Sequence, residues 1–200
     1  MSYAHLPSHD IERLSRSIAP GAWGIEAEQP LSTLLGSCVA VCMYDKAARI
    51  GGLNHFMLPN LQRTPNSEVD ALLAGDYCME ALLNGLLAKG AKKARLEAKA
   101  FGGGTIIESL ARGMGIGKRN ADFAQEWLER EHIPLVASDF LGPWSRKILF
   151  VPDTGDAYCR RMVTSMATES LIKRETAYAD TLARQIANRS SGKEKKIELF

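Results

Sequence analysis

No run of about 18 apolar residues occurs anywhere in this chain, so no helical membrane insertion is expected. The first thirty residues lack the apolar centre of a secretory signal and are interrupted by Pro7, Pro20 and Pro30, which makes the cytoplasm the expected location. Neither sign of charge dominates. Twenty-five basic residues against 23 acidic leave a net +2, and without a basic stripe nucleic acid is not an expected partner. Cysteine is scarce: the four at positions 38, 42, 78 and 159 are irregularly spaced in 200 residues and make no disulfide framework, so they are expected as free thiols. Nucleotide signatures are missing too. Gly113, Gly115 and Gly117 do not have the G-x-G-x-x-G spacing and there is no Walker lysine pattern, so no cofactor is expected.

What the chain does have is a hairpin pattern carrying two chemically active side chains. Leu35-Gly36-Ser37-Cys38-Val39-Ala40-Val41-Cys42-Met43-Tyr44 and Gly51-Gly52-Leu53-Asn54-His55-Phe56-Met57-Leu58-Pro59 flank a polar turn at Asp45 to Arg49. Centring the turn between Lys46 and Ala47 sets Cys38 directly across from His55. Directly opposed residues bring their Cβ atoms within roughly 4.5–5.5 Å, close enough for a thiolate and an imidazolium to share a proton. A bulge at Gly51-Gly52 would shift this register by one residue.

Around this hairpin the pattern predicts one α/β (α+β) domain, with mostly antiparallel or mixed β-sheets packed against helices. Residues 1–30 read as an irregular leader with a short helical stretch from Asp10 to Ile18, and the domain proper spans 31–189. Ser67 caps a helix running to Lys89 with the stripe Val69, Leu72, Leu73, Leu83, Leu86 and Leu87. Arg95 to Phe101 alternates as a strand. Gly102-Gly103-Gly104 then opens a short helix, Thr105 to Arg112, and Asn120 caps another through Phe123, Ala124, Trp127 and Leu128. Ile133–Phe140, Arg146–Val151 and Ala157–Val163 read as strands, the last two joined by a turn at Asp153-Thr154-Gly155-Asp156. A final helix, Thr164 to Asn188, leads into residues 190–200. There Ser190 to Lys196 is a flexible linker, and Ile197, Leu199 and Phe200 form an apolar end that either docks in a groove or frays.

A thiol of ordinary pKa near 8.5 is scarcely ionised at neutral pH, so nucleophilic work by Cys38 requires a partner such as His55. The competing reading makes Cys38 and Cys42 small buried apolar residues and His55 a satisfied core histidine. A zinc site of Cys38, Cys42 and His55 is disfavoured, because the two cysteines would lie about 13 Å apart along an extended strand. Asn54, next to His55, points to the opposite face and is a poor partner for the ring. Backbone N–H groups at Ser37 and Cys38, after Gly36, can form an oxyanion hole. Ser32 and Thr33 offer hydroxyls upstream, or are simple strand-surface residues. Gly102 and Gly103 can present N–H groups to a carboxamide, or merely form a tight turn.

The blocks Leu34-Leu35-Gly36-Ser37-Cys38-Val39-Ala40-Val41, Gly52 to Pro59, Phe101-Gly102-Gly103 and Ile116-Gly117-Lys118-Arg119-Asn120 resemble the CheD family of chemoreceptor glutamine deamidases over roughly residues 20–165. The resemblance implies a fold similar to the catalytic domain of cytotoxic necrotizing factor toxins, and a hydrolase that converts receptor glutamines to glutamates with release of ammonia. It implies Cys38 as nucleophile, His55 as general base and acid, and a threonine for which Thr33 is the match, with Ser32 the alternative. Chemotaxis receptors, and a CheC-type phosphatase, are the partners it implies. No metal is implied. The alternative is a binding adaptor in chemotaxis signalling with little turnover; an amide or thioester hydrolase with another substrate is a third reading. The loop Gly142-Pro143-Trp144 departs from the family pattern and has no assigned role.

Overall fold

The β4 strand, Val39–Asp45, is buried along its whole length, which explains why it reads as a continuous apolar run rather than an alternation. Its Val39, Val41 and Met43 side face two helices, while Ala40, Cys42 and Tyr44 face a second sheet. The computed structural model describes residues 3, 7–58, 68–105, 115–162 and 166–192. In chain order the elements are α1 (Ser8–Leu14), β1 (Arg16–Ser17), β2 (Trp23–Glu26), β3 (Leu31–Leu35), β4, β5 (Ile50–Asn54), α2 (Glu68–Ala88), β6 (Glu97–Gly102), α3 (Ile116–Arg130), β7 (Leu135–Phe140), β8 (Ser145–Val151), β9 (Asp156–Met162) and α4 (Met166–Gly192). A single 3-10 turn, Lys93–Arg95, precedes β6.

Two mixed sheets result. The four-stranded sheet runs β1-β3-β8-β9 and the five-stranded sheet β2-β5-β4-β6-β7, and among the described residues the parallel pairs are β1·β3 and β6·β7. One apolar core lies between the sheets, where Leu31, Leu35, Ile148 and Phe150 meet Cys38, Ala40, Cys42, Tyr44 and Leu53. A second lies between the five-stranded sheet and helices α2 and α3, built on Met79, Leu82, Leu86, Phe123, Trp127 and Leu128. The expected mixed α/β domain is what forms.

Several expectations need correction. Of the stretch 1–30 expected as an irregular leader, residues 8–26 supply α1 and an edge strand to each sheet; pairing with β3 and β5 organises a segment that local pattern left with only a short helix. The hairpin turn is where the polar residues placed it, closed by Ala47 and Ala48 N–H groups donating to Asp45 Oδ1. Its register differs. Cys42 opposes Leu53 and Val39 opposes Phe56, so Ala40 rather than Cys38 lies across from His55. The shift is two residues, which keeps every side chain on its expected face. Asn120 is no cap, because α3 starts at Ile116 and Asn120 is buried within it. Helix α4 extends to Gly192, past the expected start of the linker. Outside the described residues lie most of the short helix expected at Thr105–Arg112, the loop at 59–65, the Ser67 cap and the apolar end 197–200; the side chains of Val69, Leu72 and Leu73 lie outside them as well.

Two ion clusters hold the sheet ends. Asp45, fully buried, accepts two hydrogen bonds of 3.0 Å from Arg95 Nε and one of 2.6 Å from Nη2, besides one from the Lys92 N–H. Asp139 on β7 binds Arg146 on β8 and Arg161 on β9, which ties one sheet to the other. The Gly142-Pro143-Trp144 loop closes beside this cluster, with the Arg161 guanidinium 4.6 Å from the centre of a Trp144 ring.

Hydrogen bonds from Arg95 hold the Asp45 carboxyl well below the usual carboxylate range. A depressed folded-state pKa gives stability that is complete above about pH 4 and fades as acid protonates the folded-state carboxylate. Asp45→Ala is therefore expected to lower Tm by on the order of 5 °C at pH 7, measured by calorimetry, with the gap to the parent narrowing below about pH 3. A gap independent of pH would show that the carboxylate charge is not what stabilises this corner.

Candidate active site

The segment from Leu35 to Val39 carries the chain from the four-stranded sheet to the five-stranded one, and this crossing is what gathers the site. Thr33 stands on β3, Cys38 just before β4, and His55 just after β5. All three are buried, with Thr33 and His55 1% exposed and Cys38 fully enclosed. Thr33 Oγ1 donates to the Ile18 carbonyl at 2.8 Å, which uses its one proton, so its 2.8 Å contact with His55 Nδ1 is an N–H donated by the ring. Nε2 is thereby left as the lone pair of a neutral imidazole. It has no hydrogen-bond partner among the described residues, and a ring nitrogen of His55, the sulfur of Cys38 and a carboxylate oxygen of Glu175 all lie within 4.8 Å of one another.

Backbone polarity at the crossing is sorted into two sides. The Gly36 carbonyl accepts the Gly104 N–H at 2.7 Å and the Cys38 carbonyl the Gly103 N–H at 2.9 Å. Between them the Ser37 carbonyl accepts from Asn120 Nδ2 at 2.8 Å. With the carbonyls turned to α3 and the glycine loop, the N–H groups of Gly36, Ser37 and Cys38 converge on the opposite side, an arrangement that attracts negative charge. The occupant is the carboxylate of Glu175 from α4. Its Oε1 accepts from Gly36 N at 2.8 Å and Cys38 N at 3.3 Å, and its Oε2 from Ser37 N at 2.9 Å and Ser37 Oγ at 2.7 Å.

The glycines have steric reasons to be there. Gly102 has φ +122°, and a Cβ on it would collide with the Cys38 carbonyl oxygen. A Cβ on Gly103, at φ +67°, would lie 2.6 Å from the Gly117 carbonyl oxygen of α3. The glycine loop thus backs Cys38 rather than facing a substrate: its Gly103 and Gly104 N–H groups are already spent on carbonyls of the crossing. Ser32, the alternative hydroxyl, is not brought into the cluster. It lies next to Thr33 on a strand, so it faces the other way, and its Oγ accepts from Ser15 Oγ at 2.9 Å. Asn54 points away as expected, accepting from the Val41 N–H and donating to the Cys78 carbonyl.

Burial pushes the Cys38 thiol well above its ordinary pKa, and the charge of Glu175 and its hydrogen bond push the same way. Burial also draws His55 down to about 4, against an upward pull from Glu175. Burial thus favours the neutral form of both the thiol and the imidazole. Cys38, His55 and Glu175 together offer three donor atoms to a metal ion, yet each Glu175 oxygen already accepts two hydrogen bonds, which makes the carboxylate a poor ligand. Chemically the arrangement can pass a proton from the Cys38 thiol to His55 Nε2 and hold an oxyanion on three amides.

Two contributors escaped the sequence reading. Glu175 is a single acid on the apolar stripe Leu171, Tyr178, Leu182 of α4, and Asn120 a single amide on the buried face with Ala121, Ala124 and Leu128 of α3. In each case a polar residue on the inward side of an amphipathic helix is the signal that could have found it.

Comparison with known proteins agrees in sequence over the full length. The model of the CheD family, described as CheD chemotactic sensory transduction, matches residues 57–161. The chain is 66% identical over 201 residues to the probable chemoreceptor glutamine deamidase CheD 2 of Dechloromonas aromatica, covering 100% of both chains. It is 41% identical to the protein of the same name from Burkholderia thailandensis, again covering 100% of both. Among solved structures, the Bacillus licheniformis hypothetical protein YfiH gives a TM-score of 0.39 at 12% identity over 60% of this chain and 51% of its own, a likeness too small to carry an argument. The matched blocks, with identity held over the whole chain, establish that this protein belongs to the CheD family.

Proposed function

We propose that this protein is a chemoreceptor glutamine deamidase, a hydrolase that converts glutamine side chains of chemotaxis receptors to glutamate and ammonia. The observation that carries the reading is the hydrogen-bonded Thr33–His55 pair set beside Cys38, at a point where three backbone N–H groups converge. The relatives' names supply the substrate class. His55 Nε2 takes the Cys38 proton as sulfur attacks the carboxamide carbon, and the developing oxyanion is held by the amides of the Gly36–Cys38 crossing. The imidazolium, oriented by Thr33 through Nδ1, returns its proton to the departing ammonia. Water, deprotonated by His55, then hydrolyses the thioester and frees glutamate and the thiol. Gly36 and Ser37 serve this scheme through their N–H groups, and no metal or cofactor enters it.

The setting is the cytoplasm, where receptor signalling helices present such glutamines. None of the described helices is long and apolar enough to cross a membrane. The alternative, an adaptor for a receptor or a CheC-type phosphatase, gives no reason to position a thiol, an imidazole and a hydroxyl together, because binding alone needs none of them.

Incubation of a receptor fragment with the protein should raise its intact mass by about 1 Da per site, through hydrolysis at Cys38. Cys38→Ala should abolish this gain, and His55→Ala should slow it by roughly 10²–10⁴-fold. Thr33→Ala should cost about tenfold or more, with Thr33→Ser recovering most of the loss. Cys42→Ala should stay active, since Cys42 lies farther along β4. An active Cys38→Ala protein beside a dead Cys42→Ala protein would refute the assignment.

The buried neutral state of His55 also links stability to pH. Its pKa is about 4 in the folded protein against an ordinary 6.5, so between those values the unfolded chain binds more protons. Stability should fall as pH drops from about 6.5 towards 4, and His55→Gln should make that fall shallower in a Tm-versus-pH series.

A further inference from the structure

Any substrate carboxamide must place its oxygen on the Gly36–Cys38 amides, and those amides are occupied. Four hydrogen bonds tie both oxygens of Glu175 to Gly36 N, Ser37 N, Ser37 Oγ and Cys38 N. Cys38 is 0% exposed and Glu175 2%, so no side chain from another protein reaches the thiol while α4 lies where it does. Glutamate is also the side chain that deamidation of glutamine produces, and here it is borne on a helix. We propose that α4 is a built-in product mimic: Glu175 fills the seat of the substrate glutamine, and α4 must swing out before a receptor helix can lie in the same groove. This rests on the deamidase reading and deepens it.

Other features of α4 support a displaceable cover. A structural anchor for a helix could use any amide at the surface, yet this one uses the three the chemistry needs. Outside the Glu175 contacts, α4 is seated by Leu171, Tyr178 and Leu182, spaced four, three and seven residues from Glu175 on one stripe. Tyr178 covers the turn at Gly21, where an added Cβ would lie 2.6 Å from the ring. That turn is in turn bonded to the strand end carrying the imidazole, Gly21 N donating to the His55 carbonyl at 2.8 Å. The groove thus accepts an amphipathic helix with one inward polar side chain flanked by apolar residues about one turn to either side. A receptor helix presenting glutamine in this way meets the same description, with a neutral carboxamide in place of the carboxylate. Because a carboxylate accepts from all four donors and a carboxamide offers only one acceptor oxygen, the resting cover is held more tightly than a glutamine would be.

The test uses the full chain and two readouts. Timed alkylation with iodoacetamide, followed by peptide mapping, gives the rate at Cys38, with buried Cys42 and Cys78 as internal controls; intact mass gives the deamidation rate on a receptor fragment. Glu175→Ala should label Cys38 at least about tenfold faster with Cys42 and Cys78 unchanged, and should deamidate faster than the parent. Glu175→Gln should give a smaller gain. Tyr178→Ala, which loosens α4 without touching the amides, should also speed labelling. Equal acceleration at all three cysteines would mean general unfolding and would overturn the proposal. So would a Glu175→Ala protein that loses deamidation without gaining Cys38 labelling, for then the carboxylate is part of the working site. If the parent deamidates and none of the three variants changes either rate, the cover is refuted and the deamidase reading stands. If labelling rises selectively while no protein deamidates, the cover stands and the deamidase reading falls.

Discussion

Every peptide group between Gly36 and Cys38 has its partner fixed, and the rest of the site follows from that. Carbonyls of the three residues are tied to Gly104 N, Asn120 Nδ2 and Gly103 N, while their N–H groups face Glu175. A buried backbone group left unpaired costs as much as a lost hydrogen bond, so a crossing this enclosed cannot turn its amides elsewhere without breaking several bonds together. The glycine loop and α3 thereby orient the crossing's N–H groups towards Glu175 although neither element touches one of those N–H groups. Close approach of the loop to α3 at Gly103 and Gly117 is the steric condition for that arrangement.

Charge is distributed to match. Asp45 and Asp139 are buried or nearly so, and each is neutralised by arginine, so their cost of desolvation is offset and they serve as joints between strands. Glu175 is treated differently. No arginine or lysine bridges it among the described residues, where its oxygens meet amide N–H groups and the Ser37 hydroxyl. In the proposed mechanism the same dipoles would serve a transient oxyanion once Glu175 has left the cradle. Between the two sheets the thiol and the imidazole are kept neutral by burial, ready for proton transfer but not ionised at rest.

Much of this was legible beforehand. The Cys/His hairpin was visible because β-branched runs and a polar turn specify strands and their faces, and a register error of two residues left Cys38 and His55 on the same side of the sheet. Had the error been one residue, the pair would have been split across the sheet. The N-terminal strands were not legible, since two- and four-residue strands carry too little period to stand out, and only pairing with β3 and β5 forms them. Asn120 was misread as a cap because a polar residue near a helix start looks alike whether it serves its own helix or a neighbouring loop.

Sequence by itself determined the mixed α/β class, the cysteine and histidine that share a face, and the family, because these rest on local patterns and matched blocks that do not depend on distant contacts; it left Thr33 and Ser32 as alternatives. Tertiary structure alone decided that Thr33 rather than Ser32 meets His55, which amides converge at the crossing, and that a glutamate 137 residues beyond Cys38 lies on them. The physical reason is range. Alternation and turn chemistry are written within a few residues, whereas the docking of α4 over the sheet crossing is a set of long-range contacts whose trace in the chain is one acid on an apolar helix face.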